Sequence, residues 1–146
     1  MGKWVEEHGV IDCPNGLLGF SHAKRFIILE ESEGKGPIFR WLQSVDDPDV
    51  AFVVADPNLF VENYLESIPM GDLNECGLKE YEVPVFLVIV TVPADDPFGM
   101  TANLLAPLVL SPLTKTIRQV VLSHSDYSSN HPVFERVRAA LVGESE

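Results

Sequence analysis

The residues best suited to covalent chemistry lie in one run, Ser123-His124-Ser125-Asp126, with Ser128, Ser129 and His131 close behind. Every residue type of a nucleophile–base–orienter triad is present. Such triads are assembled from separate elements that converge in space, however, and residues this close in sequence form a solvated turn instead. Paired carboxylates occur at Asp46-Asp47 and Asp95-Asp96, each beside a proline in turn-like sequence. Neighbouring acids in such turns diverge into water rather than share a proton. His8, His22, His124 and His131 show no HxH or HExxH spacing, so a metal site would need distant residues to converge. Gly16 and Gly19 lack the helix and lysine that a phosphate cradle requires. Cys13 and Cys76 stand far apart without CxxC spacing and read as structural thiols of a reducing compartment. These residues predict no catalytic group, no cofactor and no metal, and leave a module that works by contact.

The charge says what it would contact. Acids outnumber bases 22 to 10 for a net charge of −12. The nearest basic runs, Lys24-Arg25 and Arg136-Val137-Arg138, are too sparse to release many counterions from a phosphate backbone. Direct nucleic-acid binding is therefore not expected, and a basic protein partner is. The opening MGKWVEEHGV carries charges where a signal peptide has an apolar region, and Glu6 stands where myristoylation of Gly2 wants Ser or Thr. A cytoplasmic protein is expected.

The elements that hold these residues are organised around Val83 to Leu110. Val85 to Val92 is apolar apart from Thr91, too short for a membrane span and fenced by Pro84 and Pro93. It reads as a strand buried on both faces, each large apolar side chain contributing about 1.5–3 kcal/mol. Ala94 to Gly99 is turn chemistry, and Met100 to Leu110 resumes as extended chain with Pro107 at an edge or bend. Upstream, Val10 to Cys13 is a short strand entering a tight Pro14-Asn15-Gly16 bend. Arg25 to Glu31 and Ile38 to Ser44 form a hairpin across Ser32 to Pro37, and Val50 to Ala55 is a further buried strand after the Asp46 to Asp49 turn. Leu59 to Pro69 reads as mixed extended chain. One short helical turn follows, marked by the capping-box spacing of Asp72 and Glu75 and by Gly77. Thr116 to Leu122 is a hairpin partner for Leu108 to Leu110. Asn130 or His131 caps a C-terminal helix opened by Pro132, with Val133, Phe134, Val137 and Leu141 on one face and Glu135, Arg136 and Arg138 outward. Many short strands with little helix predict an all-β single domain, a small β-barrel or sandwich rather than a βαβ fold, across the 146 residues, with residues 1–10 a variable leader and 135–146 a C-terminal extension.

The central stretch VTVPADDPFGMTANLLAPLVL resembles the signature of the flagellar assembly factor FliW family. RWLQSVDDPDVAFVVADP upstream, Gly16-Leu17-Leu18-Gly19-Phe20 with Arg25-Phe26, and QVVL, Ser125-Asp126-Tyr127 and His131-Pro132-Val133-Phe134 downstream are similar to the family in the same order. Two features depart from its pattern: Cys13-Pro14-Asn15-Gly16 stands where the family has Phe-Pro-x-Gly, and the leader before it is shorter. The resemblance implies a non-enzymatic, β-barrel-like cytoplasmic protein, monomeric when free, that binds newly made flagellin. When flagellin is scarce it would bind the RNA-binding translational regulator CsrA and relieve repression of flagellin synthesis. Trp41, Asp46, Asp47, Met100, Thr101 and Asn103 are the motif positions expected to contact partners. Two other classes fit the size and strand count: a general flagellar secretion chaperone with no regulatory partner, and a flavin-type split-barrel enzyme.

Overall fold

The computed structural model describes residues 4–6, 9–31, 38–69, 71, 78, 82–122 and 125–141. Its strands are β1 (Trp4–Glu6), β2 (Ile11–Asp12), β3 (Arg25–Glu31), β4 (Arg40–Ser44), β5 (Ala51–Ala55), β6 (Val85–Thr91), β7 (Thr101–Ala102), β8 (Leu108–Ser111), β9 (Thr116–Gln119) and β10 (His131–Pro132). A helix, α1 (Phe134–Leu141), follows. The path β2-β3-β4-β5-β6-β8-β9 returns to β2 and closes a seven-stranded barrel, as the all-β expectation requires. Neighbours run antiparallel except at the closing seam, where β2 and β9 meet in parallel through Asp12 and Thr116. β7 and β10 extend the sheet from the end of β6, and β1 pairs with β3. The leader therefore contains a strand that its polar, mixed composition did not suggest.

The barrel is filled from alternate positions, because successive strand side chains point to opposite faces. Phe26 and Ile28 of β3, Leu42 of β4, Val54 of β5, Leu87 of β6, Leu108 and Leu110 of β8 and Ile117 of β9 form the inner core. Val88 and Val90 of β6, with Ala55 of β5, face outward into a second core closed by Phe60, Tyr64, Met100, Leu104, Val133 and Val137. β6 is thus buried on both faces, as its unbroken apolar sequence predicts, and is the wall between two cores. Its strand ends at Thr91, and Val92 beyond it is exposed.

Both expected hairpins form, with Leu29 opposite Trp41 and Leu110 opposite Ile117. Gly16 makes the predicted bend. Its φ is +69°, and a Cβ there would stand 2.6 Å from the Ser21 backbone, so a side chain is excluded on both counts. Two expectations are corrected. Residues 59–69 are not extended: the Asp56 carboxylate accepts from the Asn58 amide at 2.9 Å, Pro57 opens a 3-10 turn, and a second turn covers Leu65–Ser67. The helical spacing of Phe60, Tyr64 and Ile68 puts all three into the outer core. The C-terminal helix begins at Phe134 rather than Pro132, because His131 and Pro132 pair with Ala102 and Thr101 as β10. The Val133 amide, bonded to the Met100 carbonyl at 3.1 Å, fixes that offset. The Asp72–Gly77 turn, the Ser32–Pro37 loop and Cys76 lie outside the described residues.

Candidate protein-interaction site

The outer wall of β3, β4 and β5 carries a shallow, open depression of about 310 Å³ lined by Leu29, Trp41, Gln43 and Ala51. Its position follows from the pleat. Leu42 points into the barrel, so Trp41 and Gln43 must point out, and the ladder sets Trp41 beside Leu29 on one side and Val53 on the other. The same row continues from Val53 to Val90 and on to Ala102. Beyond Val53 the outer face is covered by the second core, whereas Trp41 is 38% exposed. An aromatic with one face on a sheet and one toward solvent is the kind of residue that anchors protein interfaces.

One end of the depression is the Asp46–Asp49 turn between β4 and β5. The buried Ser44 hydroxyl accepts from the Asp47 amide at 3.0 Å, the Asp47 carboxylate accepts from the Asp49 amide at 3.1 Å, and the Gln43 amide group donates to the Pro48 and Val50 carbonyls. These bonds order the turn, with Asp46 and Asp49 exposed and Asp47 half-buried. Arg25 forks onto Asp46, its Nη2 at 2.5 Å and Nε at 3.1 Å. That hydrogen bond, together with the guanidinium charge, holds the Asp46 carboxyl below the usual carboxylate range. His22 Nε2 lies 3.7 Å from the Asp47 carboxylate, a looser contact than the Arg25 fork onto Asp46.

The other three expected contacts lie some distance away; β7 is three strand spacings from Trp41, roughly 14 Å across the sheet. Met100 is buried in the outer core, and Thr101 pairs with Thr91 and Pro132. Asn103 turns the chain: its side-chain oxygen accepts from the Ala106 amide at 3.0 Å while its own amide donates to the Ile89 carbonyl at 2.9 Å. The structure thus places Trp41 on β4, Asp46 and Asp47 in the turn that follows the same strand, and Met100, Thr101 and Asn103 in the framework that follows the 93–99 turn. The residue that sequence reasoning missed is Phe98 in that turn, 72% exposed. Its signal was legible: an aromatic between Pro97 and Gly99 sits in turn chemistry and has no strand face to enter.

The Ser125 and Ser128 hydroxyls accept from the Tyr127 and Asn130 amides, both at 3.0 Å, as a solvated turn does, while Ser123 and His124 lie outside the described residues. Cys13 is fully buried, and desolvation pushes its thiol up despite a bond to Gly16 and the nearby Lys24 and Arg118 charges. Among the described residues no three His, Cys, Asp or Glu side chains are grouped to hold a metal. No helix among them is long and apolar enough to cross a membrane. What this surface offers is apolar contact bordered by fixed carboxylates.

Comparison with known proteins agrees with the architecture. A solved structure described as the flagellar assembly factor FliW superposes with a TM-score of 0.74 at 27% identity, covering 88% of each chain. A flagellar assembly factor FliW of Leptospira interrogans is 39% identical over 131 residues, 90% of this chain and 86% of that protein. The Natranaerobius thermophilus protein of the same description is 42% identical over 130 residues, 89% of this chain and 85% of its own. The family described as FliW protein matches residues 3–133, and this chain belongs to that family.

Proposed function

We propose that this flagellar assembly factor acts without covalent chemistry, as a cytoplasmic monomer that binds flagellin and, when free of it, binds the RNA-binding regulator CsrA and relieves repression of flagellin translation. The observation that carries the proposal is the acidic surface of a family member: a net charge of −12, with carboxylates displayed on ordered turns at Asp46, Asp47 and Asp49. Such a surface attracts a basic RNA-binding protein and, once docked, repels the RNA phosphate backbone. Flagellin recognition rests on apolar contact instead, for which Trp41 is the anchor. Asp46 and Asp47 border it. Met100, Thr101 and Asn103 act on partner binding from beneath, by fixing the segment that follows the 93–99 turn.

The test is a titration with flagellin and CsrA, separately and together, followed by calorimetry and by release of a flagellin leader RNA. Each partner should displace the other, and RNA should leave CsrA when the protein is added alone. Association with CsrA should slow by tenfold or more between low and physiological salt, the range expected of steered encounters. Displacement with no RNA release would favour a secretion chaperone, and turnover of a flavin substrate an enzyme.

A further inference from the structure

The 93–99 turn presents Phe98 to solvent from a 3-10 turn, Pro97–Gly99, held by backbone hydrogen bonds. The Asp96 amide donates to the Pro93 carbonyl at 3.3 Å, the Gly99 amide to the Asp96 carbonyl at 2.9 Å, and the Met100 amide to the Pro97 carbonyl at 3.2 Å. Pro93 and Pro97 fix two φ angles, and Met100, anchored in the outer core, holds the exit. One face of the Phe98 ring rests on Phe134 of α1, with centroids 4.6 Å apart. The rest of the ring is open: at 72% exposure it is the most exposed aromatic ring described. Asp95 and Asp96 are exposed beside it, and among the described residues neither is ion-paired. Glu135 and Arg138 on the neighbouring helix pair with each other at 3.2 Å.

A large apolar ring held in water costs free energy and lowers no other energy in the fold beyond its contact with Phe134. A backbone already held by the turn's hydrogen bonds has less ordering entropy to lose on binding. Asp95 and Asp96, without an ion pair among the described residues, select the sign of what approaches. We propose that this turn is a docking knob for the basic partner: Phe98 seats in an apolar socket edged by Lys or Arg, and Asp95 and Asp96 pair with that edge. The proposal rests on the assignment of a basic regulator above and adds the surface that engages it. It gives the basic protein an anchor that flagellin, assigned to Trp41, does not use. A single ring does not make an interface of standard size, and the knob is its anchor.

The experiment compares Phe98→Ala, the charge-removed pair Asp95→Asn/Asp96→Asn, and Leu113→Ala, an exposed apolar side chain on the β8–β9 turn. Each is checked for an unchanged melting transition and titrated with CsrA and with flagellin. Phe98→Ala should weaken CsrA roughly 30-fold or more, as loss of an anchor does, and leave flagellin affinity within about twofold. The Asp pair should lower the CsrA association rate and flatten its salt dependence. Leu113→Ala should change neither. Wild-type binding of CsrA that is untouched by Phe98→Ala overturns the knob while the proposed function stands. Equal loss of both partners, or loss of flagellin alone, overturns the assignment to the basic one. Failure of the wild-type protein to bind CsrA at all overturns both.

Discussion

Tyr64 shows how one polar atom fixes the outer core. Its ring is fully buried against Tyr127, centroids 4.9 Å apart, and its hydroxyl donates to the Leu104 carbonyl at 2.5 Å. Burial, with a smaller contribution from Tyr127, raises the phenol above its ordinary value of 10.0. Tyr64→Phe should therefore cost about 1–3 kcal/mol in denaturant unfolding, because the Leu104 carbonyl is left buried and unpaired. The sign with pH follows. A raised folded-state pKa means that the folded protein holds the proton more tightly, so this stabilisation is complete below pH 10.0 and is lost as pH rises toward the folded value. The high-pH loss should be smaller in the Phe variant. At this scale the sequence was legible where residue type dictates environment, as in the Asp46-Asp47 turn. It was silent on the Arg25–Asp46 fork, which joins residues that only the β3–β4 register brings together.

Among the elements, β6 has the most to support. Its inward residues Val85, Leu87 and Ile89 pack against the barrel core, and Phe86, Val88 and Val90 pack outward. A charge cannot turn to water on either face. Ile89→Asp should abolish the cooperative transition in circular dichroism, since the carboxylate would enter the barrel wall unpaired. Continuous apolar sequence between prolines made this strand readable. The 59–69 segment was misread because Phe60, Tyr64 and Ile68 follow a helical period too short and broken for a helix, and Asn63 takes a positive φ of 59° that ends each attempt to continue one. The start of α1 was misplaced for a different reason. Pro132 suits a first helical turn equally well, and only pairing with β7, a tertiary event, draws it into β10.

For the molecule as a whole, closure of the barrel was not legible, since no pattern within a strand names its neighbour on the far side. The fold class was, from the count and spacing of short strands. The two cores share β6 and β5 as a common wall and should therefore melt as one. Ile117→Val inside the barrel and Val133→Ala outside it should each lower a single transition, seen at the same denaturant concentration by tryptophan fluorescence and far-ultraviolet circular dichroism. Separate midpoints would show two independent units. The seam that shuts the ring joins Asp12 to Thr116 and is reinforced by the Leu18 amide donating to the Gln119 side chain at 2.8 Å, partners 101 positions apart. Contacts of such separation carry a large loop-closure cost and form late. On the ribosome the ring therefore stays open until β9 has emerged, and a nascent chain that stops short of Thr116 has the other staves of the barrel but no seam to shut it.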